Sequence, residues 1–299
     1  MSKYLCWIIY NGNLPEEKFI EMATWINNVA IEHSIASKLV KNNQLIPAIV
    51  DGKPELVRAL DEPLPDFIIF FDKDVVLAKH LEMMGIPVYN SATCIEICDN
   101  KSLTFQALAG KGIPMPKTLL APFVFHAHED YEPFYRAGEF LGFPHVVKEA
   151  FGSFGMQVYL VHTMEELLEK VKDMGNRPFL LQEFIASSSG KDIRLNVVGD
   201  QVVASVMRIS ETDFRANVGN GGRMIKYEPT AYETEIAIKS TQLVGADFAG
   251  VDLLIGADGS PLVCEINSNA HFKAVRSYTG INVATYIVPH IIKKWKESR

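Results

Sequence analysis

Apolar and polar positions keep two different periods along the first third of the chain. A short apolar run over 4–10 reads as a strand. Within 16–32, Phe19, Ile20, Ala23 and Ile26 recur at helical spacing. A second short strand is expected over 35–40. The unbroken run over 66–71 (Asp-Phe-Ile-Ile-Phe-Phe) has the pattern of a parallel strand buried on both faces. A helix over 75–84 is stopped by Gly85-Ile86-Pro87, and a strand over 88–90 follows. This alternation, with short turns, predicts a parallel α/β sheet.

The pattern then changes. Ser91 can cap a helix over 92–98, and Asp99 can cap the next, which runs to about 109. Pro114 and Pro116 forbid its continuation. Strands are expected over 117–120, 145–150, 156–161 and 179–185, with helices over 131–141 and 164–174, giving an α+β module with hairpin character. The polar break Ser187-Ser188-Ser189-Gly190 ends it. Strands over 193–198 and 202–208 flank Gly199-Asp200, a helix covers 232–245, and strands over 248–255 and 261–267 flank Asp258-Gly259. A helix over 281–296 with a basic last turn closes the chain, which suits its dipole. The expected fold class is α/β, α+β in its later two-thirds, divided into 1–98, 99–185 and 186–299.

Composition narrows the function classes. The 299 residues carry 29 Lys+Arg and 36 Asp+Glu, a net charge of −7. That balance argues against a partner as anionic as nucleic acid, although one local cationic pocket stays compatible with it. No stretch reaches the roughly 18–20 apolar residues that span a bilayer, so no membrane is expected. The first ten residues read as a strand and not as a signal peptide. Cys6, Cys94, Cys98 and Cys264 form no CxxC pair, which fits a reducing cytoplasm. Cys94 and Cys98 lie one helical turn apart and could share a metal or simply pack on one face.

The most informative segment is the last hairpin. Asp-Gly marks a two-residue turn. With Asp258 and Gly259 at its centre, Ala257 faces Ser260 and Asp252 lands opposite Glu265. Asn267 projects on the same face. Two carboxylates and an amide thus converge within strands otherwise made of Val, Leu, Ile and Phe. Like charges this close need something positive between them. A hard divalent cation takes such oxygen ligands. The alternatives are a carboxylate that is protonated or paired with Arg or Lys, and a register one residue off.

Weaker signals lie upstream. Lys148-Glu149-Ala150-Phe151-Gly152-Ser153-Phe154-Gly155 ends a strand in a lysine and a small glycine loop, which suits phosphate oxygens or an ordinary hairpin turn. Gln182-Glu183-Phe184-Ile185 closes a strand where main-chain groups could meet an adenine. Asp192, Arg194 and Asn196 alternate with apolar residues. Asp213-Phe214-Arg215-Ala216-Asn217 offers a guanidinium and an amide beside a glycine-rich turn, and a guanidinium reads phosphate with two bonds. His126 and His128 lack partners at metal spacing, and Cys264 reads as structural.

In order, these segments resemble the ATP-grasp superfamily, and within it the ribosomal-protein glutamate ligase (RimK-like) family. The resemblance rests on Asp99-Asn100-Lys101, Val146-Val147-Lys148, the 152–155 loop, Gln182-Glu183-Phe184-Ile185, Asp192-Ile193-Arg194, 213–217, Ala249-Gly250-Val251-Asp252 and Glu265-Ile266-Asn267. It implies two α+β domains clasping ATP behind an N-terminal α/β domain. Lys101 and Lys148 would contact phosphates under the Gly152, Ser153 and Gly155 loop. Glu183 and Phe184 would meet adenine, and Asp192 the ribose. Arg215 and Asn217 would sit at the γ-phosphate, with Arg215 and Lys148 as the catalytic pair. Asp252, Glu265 and Asn267 would hold Mg²⁺, with Mn²⁺ as a substitute.

The implied activity is carboxylate–amine ligation through an acyl phosphate, joining an amino acid such as glutamate to a small-molecule or peptide carboxylate, in a monomer or a homo-oligomer. An ATP-binding scaffold and an ATP-grasp kinase are the alternatives. Ser268-Asn269-Ala270-His271-Phe272-Lys273 replaces the small residue and Pro that often follow Glu-x-Asn in the family. His271, Lys273 and Arg276 are therefore candidates for holding a substrate carboxylate, or ordinary loop residues.

Overall fold

Residues that alternate along the N-terminal strands belong to two different cores. The chain opens with β1 (Leu5–Tyr10), α1 (Glu17–Glu32) and β2 (Ala36–Lys41), then a two-stranded hairpin of β3 (Leu45–Val50) and β4 (Lys53–Arg58). β5 (Phe67–Phe71), α2 (Val75–Met83) and β6 (Val88–Tyr89) follow. The computed structural model describes residues 4–14, 17–59, 63–152, 155–216 and 222–299. Four strands run parallel in the order β2-β1-β5-β6. Phe67, Ile69 and Phe71 face one core, while Ile68 and Phe70 face the other. Burial on both sides explains the unbroken apolar run. The β3–β4 hairpin leaves little sequence signal, because Ile46, Ile49, Val50 and Val57 stay exposed and only Leu45 and Leu56 reach the core.

Helices α3 (Ala92–Asp99) and α4 (Lys101–Leu108) lead into a second sheet. The cap of α4 is Asn100, whose side chain accepts from the Ser102 and Leu103 N–H groups; Asp99 is the last residue of α3 and pairs with Lys73 at 2.5 Å. This corrects the expected Asp99 cap. β7 (Thr118–Leu120), α5 (Glu132–Leu141), β8 (His145–Glu149), β9 (Val158–Val161), α6 (Met164–Met174) and β10 (Phe179–Glu183) form an antiparallel sheet in the order β7-β10-β8-β9. Phe134, Leu167, Val171 and Phe179 are among the side chains of its own core.

The third sheet holds β11 (Lys191–Val198), β12 (Gln201–Ile209), β13 (Arg223–Lys226), β14 (Phe248–Ile255) and β15 (Pro261–Asn267), in the order β13-β12-β11-β14-β15. α7 (Ala231–Leu243) covers the face made by Ile193, Leu195, Val251 and Leu253. Cys94 and Cys98 are buried in that same core, so their helix-turn spacing serves packing. The opposite face is divided along its length. Its apolar part, Val198, Ala204, Val206 and Phe248, lies under α8 (Lys273–Thr279) and α9 (Ala284–Glu297). Its charged part is open toward the second sheet.

The last helix therefore joins the two ends of the chain. Ile287, Ile291 and Trp295 of α9 share one core with Ile8, Ile26, Phe67 and Phe248. Asn90 adds a polar stitch at the same junction and is fully buried. Its Nδ2 donates to the Phe248 and Ser268 carbonyls at 2.9 and 3.0 Å. Its Oδ1 accepts from the Asp247 and Phe248 N–H groups at 2.6 and 3.3 Å. No helix among the described residues is long and apolar enough to cross a membrane.

Removing the Asn90 amide would orphan several buried backbone groups at once. Asn90→Ala is expected to lower unfolding stability by about 3 kcal/mol. Urea unfolding followed by circular dichroism measures this, and an unchanged midpoint would show that the stitch is dispensable.

Candidate active site

Two β-bulges decide which side chains reach the charged face. Beyond the Gly199-Asp200 turn, Val197 pairs with Val202, but Asn196 pairs with Ala204. The extra residue shifts the register by one, which places Arg208 directly opposite Asp192. In the last hairpin the loop has three residues, not two. Gly256 N–H donates to the Ser260 carbonyl at 2.8 Å, and Gly259 adopts φ 83° in the position that favours glycine. A bulge at Cys264 then restores the expected pairing, so Asp252 does face Glu265 and Gly250 faces Asn267. The expected juxtaposition holds because two one-residue offsets cancel.

Four charges alternate across this face. Arg194 donates from Nε and Nη2 to Asp252 Oδ1 and Oδ2 at 2.5 and 2.6 Å. Arg208 donates to both oxygens of Asp192, at 2.5 and 2.6 Å, and to Asp252 Oδ2 at 2.8 Å. Arg208, Asp192 and Asp252 are buried. Burial pushes the Asp252 carboxyl up, but Arg194 and Arg208 outweigh it and hold it below the usual carboxylate range. Burial opposes the charge on Arg208 as well, and the two carboxylates more than restore it. Gly250 makes room for the arrangement: a Cβ there would stand 2.5 Å from Ala270 Cβ and 3.2 Å from Arg194 Cδ.

The cleft between the second and third sheets is lined by Lys101, Lys148, Gly152, Gly155, Glu183, Phe184, Asp192, Arg215, Asp252 and Glu265, with Arg208 and Cys264 beside them. Lys148 is buried, and its Nζ donates to Gln182 Oε1 at 2.6 Å, while Gln182 Nε2 donates to Thr118 Oγ1 at 2.8 Å. Lys101 Nζ donates to the Gly152 carbonyl at 3.3 Å and lies 3.8 Å from Glu265 Oε1. Burial lowers the Lys101 pKa, a cost that an anion in the cleft would offset. Cys264 lies 3.5 Å from Lys148 Nζ, and burial pushes its thiol up.

Arg215 spans the two sheets. Nε and Nη2 bind Asp213, and Nη1 donates to the Gly155 carbonyl at 2.7 Å. Arg215 thereby holds the Asp213 carboxyl below its usual range. Phe184 and Phe214 meet edge to face across the cleft, with ring centroids 6.1 Å apart. Ser153 and Asn217 lie outside the described residues.

The donor set suits a hard cation within limits. An ionised carboxylate has about four lone-pair sites. Three on Asp252 are occupied by the arginines, which leaves one on Oδ1. Glu265 has a cation only at 3.8 Å. Asn267 would offer its amide oxygen, while its buried Nδ2, a hydrogen-bond donor and not a metal ligand, has no partner among the described residues. Asp252 would therefore bind a metal through a single oxygen, beside Glu265 and Asn267.

The three candidate substrate residues lie elsewhere. Lys273 pairs with Glu21, Arg276 stands 4.4 Å from the Trp25 ring centre, and His271 meets Phe19 edge to face at 4.4 Å. All three face α1 and none lines the cleft. Conversely, Arg208, Arg194 and Gln182 carry more of the site than their sequence context suggests. The signal for Arg208 was its near-register position opposite Asp192, hidden by the bulge.

The sequence profile of the RimK-like ATP-grasp domain matches residues 98–291. The chain belongs to the RimK-like ATP-grasp family. It is 38% identical over 275 residues to mouse N-acetylaspartylglutamate synthase A, covering 87% of this chain and 70% of that protein. Against the human protein of that name it is 38% identical over 224 residues, covering 73% of this chain and 56% of the human protein. It is 37% identical to a probable alpha-L-glutamate ligase of Legionella pneumophila, over 73% of this chain and 71% of that one. In structure it resembles a RimK-domain ATP-grasp protein of Sphaerobacter thermophilus (TM-score 0.71, 21% identity, 95% of this chain and 98% of that one). Bacillus anthracis D-alanine–D-alanine ligase complexed with ATP has the same fold (TM-score 0.71, 16% identity, 99% and 98% covered). The family's profile starts at the α3–α4 junction, so the parallel sheet lies outside it.

Arg208→Met would leave Asp192 and Asp252 buried with one guanidinium between them. A loss of about 3–5 kcal/mol is expected in chemical unfolding. A loss below about 1 kcal/mol would mean the two acids do not depend on Arg208.

Proposed function

We propose that the chain is an ATP-dependent carboxylate–amine ligase. One observation carries this reading: Lys101, Lys148 and Arg215, from three separate segments, line one cleft together with Asp252 and Glu265. Cations and acids lining one cleft suit a polyphosphate bound with a divalent metal. ATP would lie with adenine near Glu183 and Phe184, ribose toward Asp192, and phosphates against Lys101 and Lys148. Glu265, Asn267 and one oxygen of Asp252 would hold Mg²⁺, or Mn²⁺ in its place. When bound, the metal supplies positive charge to the oxygens of the transferred phosphoryl group.

A carboxylate cannot expel oxide, so it needs a leaving group. A substrate carboxylate oxygen would attack the γ-phosphorus, and the bond to the β-phosphate oxygen would break to release ADP. The amine nitrogen would then attack the acyl carbon, phosphate would depart with its oxygen, and the nitrogen would lose a proton. Lys101, Lys148 and Arg215 would position the phosphates and balance the moving charge. The Arg215 bridge to the Gly155 carbonyl would help keep water from the acyl phosphate.

Glutamate is the favoured amine, because relatives are named for synthesising N-acetylaspartylglutamate and for ligating glutamate. The acceptor would be a small-molecule or peptide carboxylate. A reducing cytoplasm suits four free cysteines.

The direct test incubates the protein with ATP, Mg²⁺, glutamate and a carboxylate panel, and reads ADP together with product mass. Amide formation matched to ADP supports ligation; a stable phosphate ester would point to a kinase, and nucleotide binding without turnover to a scaffold. Glu265→Gln is expected to cut Mg²⁺-dependent turnover by about 100-fold or more with an unchanged melting temperature. Unchanged turnover would refute its role. Lys148→Ala is expected to raise the KM for ATP by about tenfold or more; an unaltered KM would remove Lys148 from the phosphate site.

A further inference from the structure

Open parallel sheets place ligands in the crevice beyond the carboxyl ends of their strands, where successive connections leave on opposite faces. Here that switch point lies between β1 and β5. Helix α1, after β1, packs in one core and α2, after β5, in the other. The strand ends present Asn11 and Asp72.

Asp72 is buried at 5% exposure. Its Oδ1 accepts from the Lys73 N–H at 2.8 Å and from Asn11 Nδ2 at 3.1 Å. Its Oδ2 has only a 3.4 Å contact from the same Asn11 nitrogen, so most of its accepting capacity is unused. Across the crevice, Asn269 Nδ2 donates to the Phe71 carbonyl at 3.3 Å, and its buried Oδ1 has no hydrogen-bond partner among the described residues. On facing segments, then, Asp72 Oδ2 is only weakly satisfied and Asn269 Oδ1 has no donor among the described residues. The nearby charges are Asp72, Asp74, Lys73 and Asp99, with Lys73 already paired to Asp99. This balance favours a group rich in N–H and disfavours another carboxylate.

The crevice adjoins the cleft. Asp99 is followed by Asn100 and Lys101, and Lys101 reaches Glu265. Asn269 lies two residues beyond Asn267.

We infer that Asp72 Oδ2 and Asn269 Oδ1 hold the nitrogen of the amino-acid substrate, oriented toward the carboxylate activated at Lys101 and Glu265. This rests on the ligase reading above and adds residues to it. It also gives the altered 268–273 segment a purpose, since Asn269 sits within it. Asp72 shows the signature of a residue kept for function. Burial raises its pKa, so the folded protein holds the proton to higher pH than the unfolded chain does. Stability therefore falls as pH rises from the ordinary carboxylate value through the raised one, and the charged form at pH 7 costs stability.

The test is calorimetric binding to the intact protein with ADP and Mg²⁺ present. Probes are glutamate, a panel of other amino acids, and N-acetylglutamate, which keeps both carboxylates but lacks the free amine. Asp72→Asn is expected to weaken binding of the preferred amino acid by about 10- to 100-fold. It should leave ADP affinity and the weak N-acetylglutamate binding unchanged, and melt no lower than wild type at pH 7. Asn269→Leu should weaken the same amino acid and keeps the question decidable if Asp72→Asn does not fold. Equal amino-acid affinity in wild type and variants would overturn the inference. So would a wild type that binds ADP and no amino acid, with the ligase reading still standing. A wild type that fails to bind ADP would instead overturn the ligase reading.

Discussion

Two carboxylates buried on one sheet face, each gripped by a guanidinium, are the constraint from which the site follows. Asp192, Arg208, Asp252 and Arg194 alternate in sign across three strands, and every link is a short charge-assisted bond. Neither acid could be buried alone, because desolvation would neutralise it. Held ionised, Asp252 stands opposite Glu265 with one oxygen site left. The alternation also fixes where the face may be open, since its apolar part is sealed under α8 and α9.

The same face ties the chain's two ends together. Helix α9 packs between the parallel sheet and the five-stranded sheet, and Asn90 bonds across that junction. The core of the parallel sheet is therefore completed by side chains of α9. The second sheet has its own core and meets the third mainly through the cleft, where Arg215 and the Phe184–Phe214 pair bridge it. An assembly with one firm junction and one polar, bridged junction can open and close around a ligand at the second.

Much of this was legible in the sequence, for physical reasons. Strands buried on both faces announce themselves as unbroken apolar runs, as at Phe67–Phe71. Amphipathic α1 and the helix capped by Ser91 carry their own signals. The pairing of Asp252 with Glu265 was readable only because the longer turn and the bulge at Cys264 cancel. Where a bulge stands alone, before Asn196, a two-residue turn register puts Arg208 on the wrong face. Hairpin β3–β4 and strand β13 bury too little to leave a pattern. That His271, Lys273 and Arg276 meet α1 is likewise invisible in the sequence, because it depends on how distant segments pack.

The central claim is that this cleft activates a carboxylate by phosphorylating it. The most direct measurement supplies the acceptor with heavy oxygen in its carboxylate and follows the label by mass spectrometry. An acyl phosphate requires one labelled oxygen to appear in the released phosphate, in step with amide formation. Amide and ADP formed with all label retained in the product, or phosphate labelled only from solvent water, would contradict the account.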